Sequence, residues 1–253
     1  MIPFRRLAFA LVALLAVMPT FGQAADPAPA LTPEQSAAVD KLIHDYLMNN
    51  PKVLIEALER ADAAAKAEEA NVARDEIVKR REELDNDPTS PVIGNPKGDI
   101  TIVEFFDYRC PYCKASAPSI EQLLNDDKGI RLVLKDYPIL GKDSVFASRV
   151  ALVVAKHGKY ADFYKAMFAL KTPVDETATL GVVKEIGLDP AQVKKEMEAS
   201  DIDVILKHNY ELGRSIGADG TPAYVIGDAI FAGALTGEEL RGKIAAVRAK
   251  QPT

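Results

Sequence analysis

Cysteine, tryptophan and histidine are scarce in this sequence. Its 253 residues include two cysteines, three histidines and no tryptophan. Two cysteines are too few to hold a chain of this length together as a disulfide scaffold. Two thiolates also make only half of a tetrahedral metal site, and no second C-x-x-C is present to complete it. We interpret the scattered histidines, His44, His157 and His208, as surface or packing residues.

An excess of basic residues is also missing. The chain has 31 Lys and Arg against 37 Asp and Glu, which gives a formal net charge of −6. Proteins that bind nucleic acids present a surplus of positive charge to the phosphates. The composition therefore argues against nucleic acid as a partner, and it is otherwise ordinary for a globular protein.

One apolar run stands at the N-terminus, and it is too short to span a bilayer comfortably. Arg5 and Arg6 precede this run at residues 7–17, and small residues then allow cleavage after Ala24. This pattern is typical of a secretory signal peptide, so we predict that residues 1–24 are removed on export. Because the segment contains two arginines and no acids, the net charge changes from −6 to −6 − 2 = −8.

Two helices are predicted in residues 25–90, after a short Ala/Pro-rich lead. Thr32 as N-cap, Pro33 at the first helical position and Gln35 form a capping box that starts the first helix. Apolar residues at helical spacing give this helix one apolar face: Val39, Leu42, Ile43, Tyr46 and Leu47.

The second helix is expected to run from Pro51 to about Asn86, roughly 50 Å at about 1.5 Å per residue. A helical pattern longer than about 25 residues is typical of a coiled coil or an oligomerisation stalk. The apolar stripe of this helix is weak and rich in alanine, so a solvated, charged linker helix is the alternative. We favour self-association into a homo-oligomer through residues 31–60.

The pattern changes at a Pro/Gly-rich segment near residue 90, which we predict to be a domain boundary. Ile100–Phe106 has the composition of a buried strand, and residues 129–139 form a second strand. Between them a helix opens with Cys113 in its first turn. The order strand, helix, strand predicts a parallel pair with a right-handed crossover.

A block of helices at about residues 141–217 interrupts this α/β unit. Beyond it, Ala223–Ile226 is predicted as a strand, followed by a two-residue turn, a second short strand and a final helix capped by Thr236. We therefore predict an α/β domain in residues 91–253 with an all-helical insertion.

Three interpretations compete for Cys110 and Cys113, which lie in the segment F-D-Y-R-C-P-Y-C-K. A structural disulfide that closes so short a loop restricts the unfolded chain little and stabilises poorly. A metal half-site lacks further ligands, although the two thiolates are candidate Cu(I) ligands if they bridge protomers. Redox chemistry is the third interpretation, and the position of the motif favours it.

The position matters because a cysteine at the start of a helix faces unpaired backbone N–H groups and the positive end of the helix dipole. Cys110 occupies that position, so we expect its thiolate to be stabilised and to attack a substrate disulfide. Cys113, one helical turn on, is placed to resolve the mixed disulfide. Pro111 lacks an N–H and has a fixed φ, which suits the first turn.

The motif also carries a resemblance. C-P-Y-C after I-V-E-F-F-D-Y, with T-P before a late strand, is similar to the DsbA-like disulfide oxidoreductases of the bacterial periplasm, which have a thioredoxin fold with an inserted helical domain. The similarity covers about residues 91–250. The order of the motifs and the segment Y-L-M-N-N-P-K-V-L-I-E-A-L resemble the subset with an N-terminal helical oligomerisation segment, which includes ScsC-like proteins associated with copper tolerance.

By this resemblance Cys110 is the nucleophile, Cys113 is the resolving cysteine and Pro222 is a cis-proline packed beside them. The sequence alone indicates only a turn proline, which is usually trans. With Pro222 in the cis form, Thr221 presents backbone groups to which an extended substrate can pair as an added strand.

Residues around the motif bear on the direction of the reaction and on the substrate. Thr221 before the proline, and Pro111 with Tyr112 between the cysteines, resemble isomerase-type or reducing members of the family. Phe106, Tyr108 and Tyr112 either line an apolar surface for unfolded substrates or belong to the core.

Glu104 stands six residues before Cys110 in an otherwise apolar strand, at the position of a buried acid in the family. Burial is expected to raise its pKa and to let it accept or deliver a proton as Cys113 reacts. The alternative is a strand glutamate paired with a lysine, and Lys135 on the next strand is the candidate partner.

The sequence thus predicts a periplasmic thiol:disulfide oxidoreductase that acts on unfolded or misdisulfided exported proteins. We expect an isomerase or reductase that is kept reduced by a membrane partner of the DsbD type. It needs no organic cofactor, because the disulfide between Cys110 and Cys113 is the reagent. Three alternatives stay open: a monomeric dithiol oxidase recharged by a quinone-linked partner, a copper-binding protein that uses the same cysteines, and a holdase-like chaperone.

Overall fold

A computed structural model describes residues 31–250 of the chain. The predicted signal peptide, residues 1–24, lies outside the described residues. Within the described part, the chain divides after Leu58 into two compact units.

The first unit contains helix α1 (Pro33–Asn49) and the start of helix α2 (Pro51–Lys79). The capping box predicted at Thr32 is confirmed, because its side chain accepts from the Gln35 backbone while the Gln35 side chain accepts from the Thr32 backbone. No residue of α1 is buried. Its large apolar side chains therefore face solvent in the single chain: Leu42, Ile43, Tyr46 and Met48.

The second unit begins within α2 and includes a short helix, α3 (Arg81–Asp85). Ile77 and Leu84 are fully buried in the core of this unit. The prediction of one helix to about Asn86 was therefore wrong, because the helix breaks at Arg80 so that both apolar side chains reach the core. The domain boundary predicted near residue 90 lies too late for the same reason.

A five-stranded sheet forms the centre of the second unit, in the order β1-β3-β2-β4-β5. Strands β2 and β3 are parallel, as predicted, and the other neighbours are antiparallel. The short edge strand β1 was not predicted, since its three residues lie in a segment rich in turn formers. The strand bounds are β1 (Val92–Gly94), β2 (Ile100–Phe106), β3 (Ile130–Asp136), β4 (Ala223–Ile226) and β5 (Ala229–Ala232).

Helices cover both faces of this sheet. Helix α4 (Pro111–Asp126) connects β2 to β3, and helix α10 (Gly237–Arg248) closes the chain with the predicted capping box at Thr236. Between β3 and β4 lies the predicted helical insertion. It consists of α5 (Lys142–Lys156), α6 (Tyr160–Ala169), α7 (Glu176–Glu185), α8 (Pro190–Glu196) and α9 (Ser200–Ser215).

Strand β2 contributes to two apolar cores because successive side chains point to opposite faces. Ile102 and Phe106 pack with α4, α10 and the insertion, whereas Val103 and Phe105 pack with Ile77 and the residues around it. This architecture confirms the predicted α/β class and the thioredoxin fold with a helical insertion. None of the helices within residues 31–250 combines the length and the apolar composition needed to cross a membrane.

Candidate active site

The two cysteines lie at the N-terminus of α4, as predicted. Cys110 is the N-cap residue with extended backbone, φ −71° and ψ 119°, and no side chain caps the helix there. Cys113 is in the first turn, and both residues are buried free thiols in this structure. The thiol of Cys110 donates to the carbonyl oxygen of Thr221 at 3.1 Å. The side chain of Cys110 therefore points toward the loop that precedes β4.

That loop contains Pro222, and the peptide bond between Thr221 and Pro222 is cis, as the resemblance implied. The carbonyl of Pro222 accepts from the backbone N–H of Gly233 at 2.8 Å. Since β4 pairs with β2, the strand that leads to Cys110, the sheet holds the cis-proline loop beside the thiol. Sequence reasoning and the structure agree on this placement.

Glu104 is in the middle of β2 and is 1% exposed. Its Oε2 accepts a hydrogen bond of 2.9 Å from the hydroxyl of Tyr164. Burial raises the pKa of Glu104 to about 7, and the hydrogen bond from the hydroxyl of Tyr164 opposes the shift. A carboxyl group with this pKa changes between its proton-accepting and proton-donating forms near neutral pH.

The burial that affects Glu104 also affects the thiol of Cys113. Burial, followed by the charge of Glu104, raises the pKa of the Cys113 thiol far above its ordinary value. An ionised Glu104 therefore disfavours a thiolate at Cys113, whereas transfer of the Cys113 proton to Glu104 neutralises the carboxylate and removes that repulsion. The arrangement can hold Cys113 as a thiol until it is required as a nucleophile.

Two tyrosines near Glu104 were missed by the sequence analysis. Tyr164 comes from α6 of the insertion, and Tyr224 comes from β4. The hydroxyl of Tyr224 donates to Oγ of Ser116 at 3.0 Å, and that Oγ lies 3.1 Å from the carbonyl oxygen of Cys113. No local spacing connects either tyrosine with the cysteines, so only the tertiary fold shows the relation.

Lys135 is not the partner of Glu104, so that prediction was wrong. Glu104 is paired in register with Leu134, which places Lys135 on the opposite face of the sheet. The fully buried Nζ of Lys135 donates to the carbonyl of Glu83 at 2.8 Å and to Oδ2 of Asp87 at 2.9 Å. Its pKa is lowered by burial, which the ion pair with Asp87 opposes.

The aromatic residues near the motif divide into two groups. Phe106 and Tyr108 are buried, with ring centroids 5.0 Å apart in an edge-to-face pair, so they belong to the core. Tyr112 is 65% exposed between the cysteines. Pro111 is also exposed at the first helical position. The apolar surface next to Cys110 therefore comes from Pro111 and Tyr112.

Asp107 fixes the loop that leads to Cys110, and the sequence analysis missed it. Its Oδ1 accepts from the backbone N–H of Arg109 at 2.8 Å, and its Oδ2 accepts from those of Ile139 and Leu140 at 2.8 and 2.9 Å. Its carbonyl accepts from the Cys110 N–H at 3.0 Å. An Asp two residues before a backbone donor is a turn signal that points to this role.

Two of the three histidines contact carboxylates. His157 Nε2 is 2.7 Å from a Glu196 oxygen and His208 Nε2 is 3.5 Å from a Glu83 oxygen, while His44 is exposed on α1. Within residues 31–250, no three His, Cys, Asp or Glu side chains are grouped so that they could hold a metal ion.

Comparison with known families matches both parts of the chain. The family described as the DSBA-like thioredoxin domain matches residues 101–245. The family described as the copper resistance protein ScsC N-terminal domain matches residues 35–68. The second match covers most of α1 and the first part of α2.

Solved structures show the same likeness. A thioredoxin-like oxidoreductase from Silicibacter pomeroyi is 38% identical with a TM-score of 0.66, over 68% of this chain and 99% of that one. A linker-deletion mutant of Proteus mirabilis ScsC is 29% identical with a TM-score of 0.67, over 88% of this chain and 99% of that one. The thiol-disulfide exchange protein alpha-DsbA2 from Wolbachia pipientis is 34% identical with a TM-score of 0.66, over 72% and 98%.

Proposed function

The chain belongs to the DSBA-like thioredoxin domain family and is a thiol:disulfide oxidoreductase of the DsbA and ScsC type, and from this we propose that it isomerises or reduces the disulfides of exported proteins in the periplasm. The observation that carries the proposal is the Cys110 thiol at the start of α4, bonded to the carbonyl of Thr221 beside the cis-proline. The signal-peptide pattern of residues 1–24 supports the periplasmic location.

In the proposed reaction the Cys110 thiolate attacks one sulfur of a substrate disulfide. A bond forms between Cys110 Sγ and that sulfur, and the other substrate sulfur leaves as a thiolate. In isomerisation a second substrate thiolate attacks the mixed disulfide and releases Cys110. In reduction Cys113 attacks Cys110 Sγ instead, which frees the substrate thiolate and leaves the disulfide between Cys110 and Cys113 for a membrane reductant of the DsbD type to reduce.

Glu104 accepts the proton that Cys113 must lose in the second branch. The burial of both residues supports this role, and so does the raised pKa of Glu104, because it makes the carboxylate a stronger base. Because the pKa of Glu104 is raised to about 7, both the carboxylate and the carboxylic acid are accessible near neutral pH. Thr221 supplies the backbone edge at which an extended substrate segment pairs.

We propose further that the chain forms a homo-oligomer through residues 31–60. The exposed apolar side chains of α1, such as Leu42 at 71% exposure, and the match of this segment to the ScsC N-terminal domain support it. Several active sites around one substrate favour repeated attack on wrong disulfides. The oligomer also shields the cysteines from a membrane oxidase that re-oxidises the cysteine pair of monomeric oxidases.

The test is reactivation of scrambled-disulfide ribonuclease by the reduced mature protein and by a Leu42→Glu variant, with light scattering of both. His44→Glu is the matched control, because residues 42 and 44 lie on roughly opposite sides of a helix. We expect reactivation by the mature protein and the control, and a monomeric, inactive Leu42→Glu variant. A monomer that still reactivates ribonuclease contradicts the role of the oligomer. If only the oxidised protein acts, by forming disulfides in reduced ribonuclease, the protein is an oxidase.

A second candidate function is Cu(I) binding by Cys110 and Cys113, which the match to a copper resistance domain favours. Soft thiolates select Cu(I), and two buried thiols three residues apart can supply two ligands. Stoichiometric Cu(I) binding that is lost in Cys110→Ser, together with absence of disulfide exchange in the native protein, would replace the first proposal by this one.

A further inference from the structure

Two cations flank the reactive pair in the sequence, and the structure fixes both side chains. Arg109 directly precedes Cys110, and its Nη1 donates to the carbonyl of Leu140 at 2.9 Å. Lys114 follows one turn into α4, where its N–H bonds to the Cys110 carbonyl, and its Nζ donates to the carbonyl of Leu170. Each side chain therefore reaches a loop of the helical insertion.

Those two loops add further positive charge. Lys142 opens α5 two residues after Leu140, and Lys171 follows Leu170 at the end of α6, and both are exposed. We name the four cations Arg109, Lys114, Lys142 and Lys171 the basic rim.

The acids near the rim only partly offset it. Asp143 lies 3.9 Å from Nη1 of Arg109, and Asp107 is buried with its oxygens bonded to backbone N–H groups. Within residues 31–250 the structure shows no ion pair for Lys114, Lys142 or Lys171. The surroundings of Cys110 on this side are thus positive, although the mature chain has a net charge of −6 − 2 = −8.

We propose that the basic rim selects disulfide substrates whose cysteines are flanked by Asp or Glu. The inference rests on the proposed function and names its substrate class. Opposite charges closer than the Debye length of about 8 Å at physiological salt are only partly screened, and they raise the rate of encounter more than the final affinity. Because Arg109 directly precedes Cys110 and the Lys114 N–H bonds to the Cys110 carbonyl, we expect residues that flank a bound substrate cysteine to pass near these cations.

The rim also acts on every substrate alike, since its positive charge stabilises the negative charge that the sulfurs share during exchange. This general effect cancels in a ratio of rates between substrates that differ only in flanking charge. The ratio is therefore the quantity that reports selection by the rim.

The experiment uses the mature chain with Cys113→Ala, in which attack by Cys110 stops at the mixed disulfide and releases one peptide thiolate. Three symmetric cystine peptides of equal length have each cysteine flanked by two Glu, two Gln or two Lys. We expect second-order rate constants in the order Glu, Gln, Lys, with Glu over Lys by about ten-fold or more at low salt. The ratio should fall to about two-fold near 0.5 M salt, where the Debye length is about 4 Å.

Variants assign the effect to the rim. Arg109→Gln with Lys114→Gln should reduce the low-salt ratio to about three-fold or less, and Arg109→Lys, which keeps the charge, should preserve it. Lys97→Gln with Lys128→Gln is the matched control. Both lysines are exposed. Lys97 lies next to the start of β2, and Lys128 lies beyond the end of α4, roughly 25 Å along the helix from Cys110.

Equal rates for the three peptides, a ratio that does not depend on salt, or the same loss of ratio in the control would overturn the inference. Absence of a mixed disulfide with all three peptides, while Cys110 still reacts with a small disulfide reagent, would instead contradict the proposed function.

Discussion

The hydroxyl of Tyr164 donates a 2.9 Å hydrogen bond to Oε2 of Glu104. Tyr164 belongs to the helical insertion and Glu104 to the central sheet, so the insertion supplies part of the polar surroundings of the acid. The hydrogen bond opposes the effect of burial on the pKa of Glu104. If Glu104 transfers a proton as proposed, the insertion contributes to that step as well as to packing, and variants can separate the two contributions.

Glu104→Gln should alter stability in a way that depends on pH. The pKa of Glu104 is raised to about 7 in the folded state, so between about pH 4.5 and 7 the unfolded chain loses the proton first and native stability falls as pH rises. Glutamine does not ionise, so the variant does not lose stability with pH at this position. Relative to the native protein, the variant should gain up to about 3 kcal/mol between pH 4 and pH 8. Urea unfolding of both reduced proteins at the two pH values measures the gain, and a difference that is constant with pH contradicts it.

Tyr164→Phe should move the pH dependence of resolution by Cys113. Loss of the hydroxyl removes a bond that favours the ionised Glu104, so the pKa of Glu104 should rise and the rate profile should shift to higher pH. Stopped-flow release of a trapped substrate measures the profile. Tyr160→Phe is the matched control, since it removes a hydroxyl of the same helix that bonds to Asp136 at 2.7 Å. An equal shift in both variants contradicts the prediction.

Lys135→Met should destabilise the reduced protein by about 3 kcal/mol at pH 7, because Asp87 then keeps a partly buried charge without its ammonium partner. Adding Asp87→Asn should recover part of the loss. Urea unfolding of the two single variants and the double variant gives the coupling energy. Independent, additive effects would show that the ion pair contributes little.

Asp107→Ala should slow the attack of Cys110 on disulfides by about ten-fold, because three backbone N–H groups of the loop lose their acceptor. Asp107→Asn keeps one acceptor oxygen and should lie between the native protein and the alanine variant. The rate of mixed-disulfide formation in the Cys113→Ala background measures the effect. Hydrogen exchange at Ile139 and Leu140 should rise in the same order, and unchanged exchange would contradict the positional role.

Local signals predicted much of the fold. Several correctly predicted features depend only on neighbours within a few residues. They are the capping boxes at Thr32 and Thr236, the hairpin that begins with Ala223–Ile226, and the position of Cys110 at the start of a helix. The cis form of Pro222 came from family resemblance, since a turn proline alone predicts trans.

The errors involve relations that local pattern does not determine. Lys135 was assigned to Glu104 because the strands are adjacent, but a shift of one residue places a side chain on the other face. Tyr164 is 60 residues from Glu104 in the chain, so its hydrogen bond depends on how the insertion packs. Ile77 was not singled out in the sequence of the long helix, and only the tertiary structure shows that it is buried.

The anchoring of α3 under the sheet determines where this catalytic unit can be cut for grafting onto another protein. A fragment that began at residue 91 would lose Ile77 and Leu84 from the core, and the ammonium of Lys135 would lose Glu83 and Asp87 as acceptors. The transplantable module therefore starts upstream of Ile77. An exchange of N-terminal helical segments between such proteins must place its junction within α2, before Ile77.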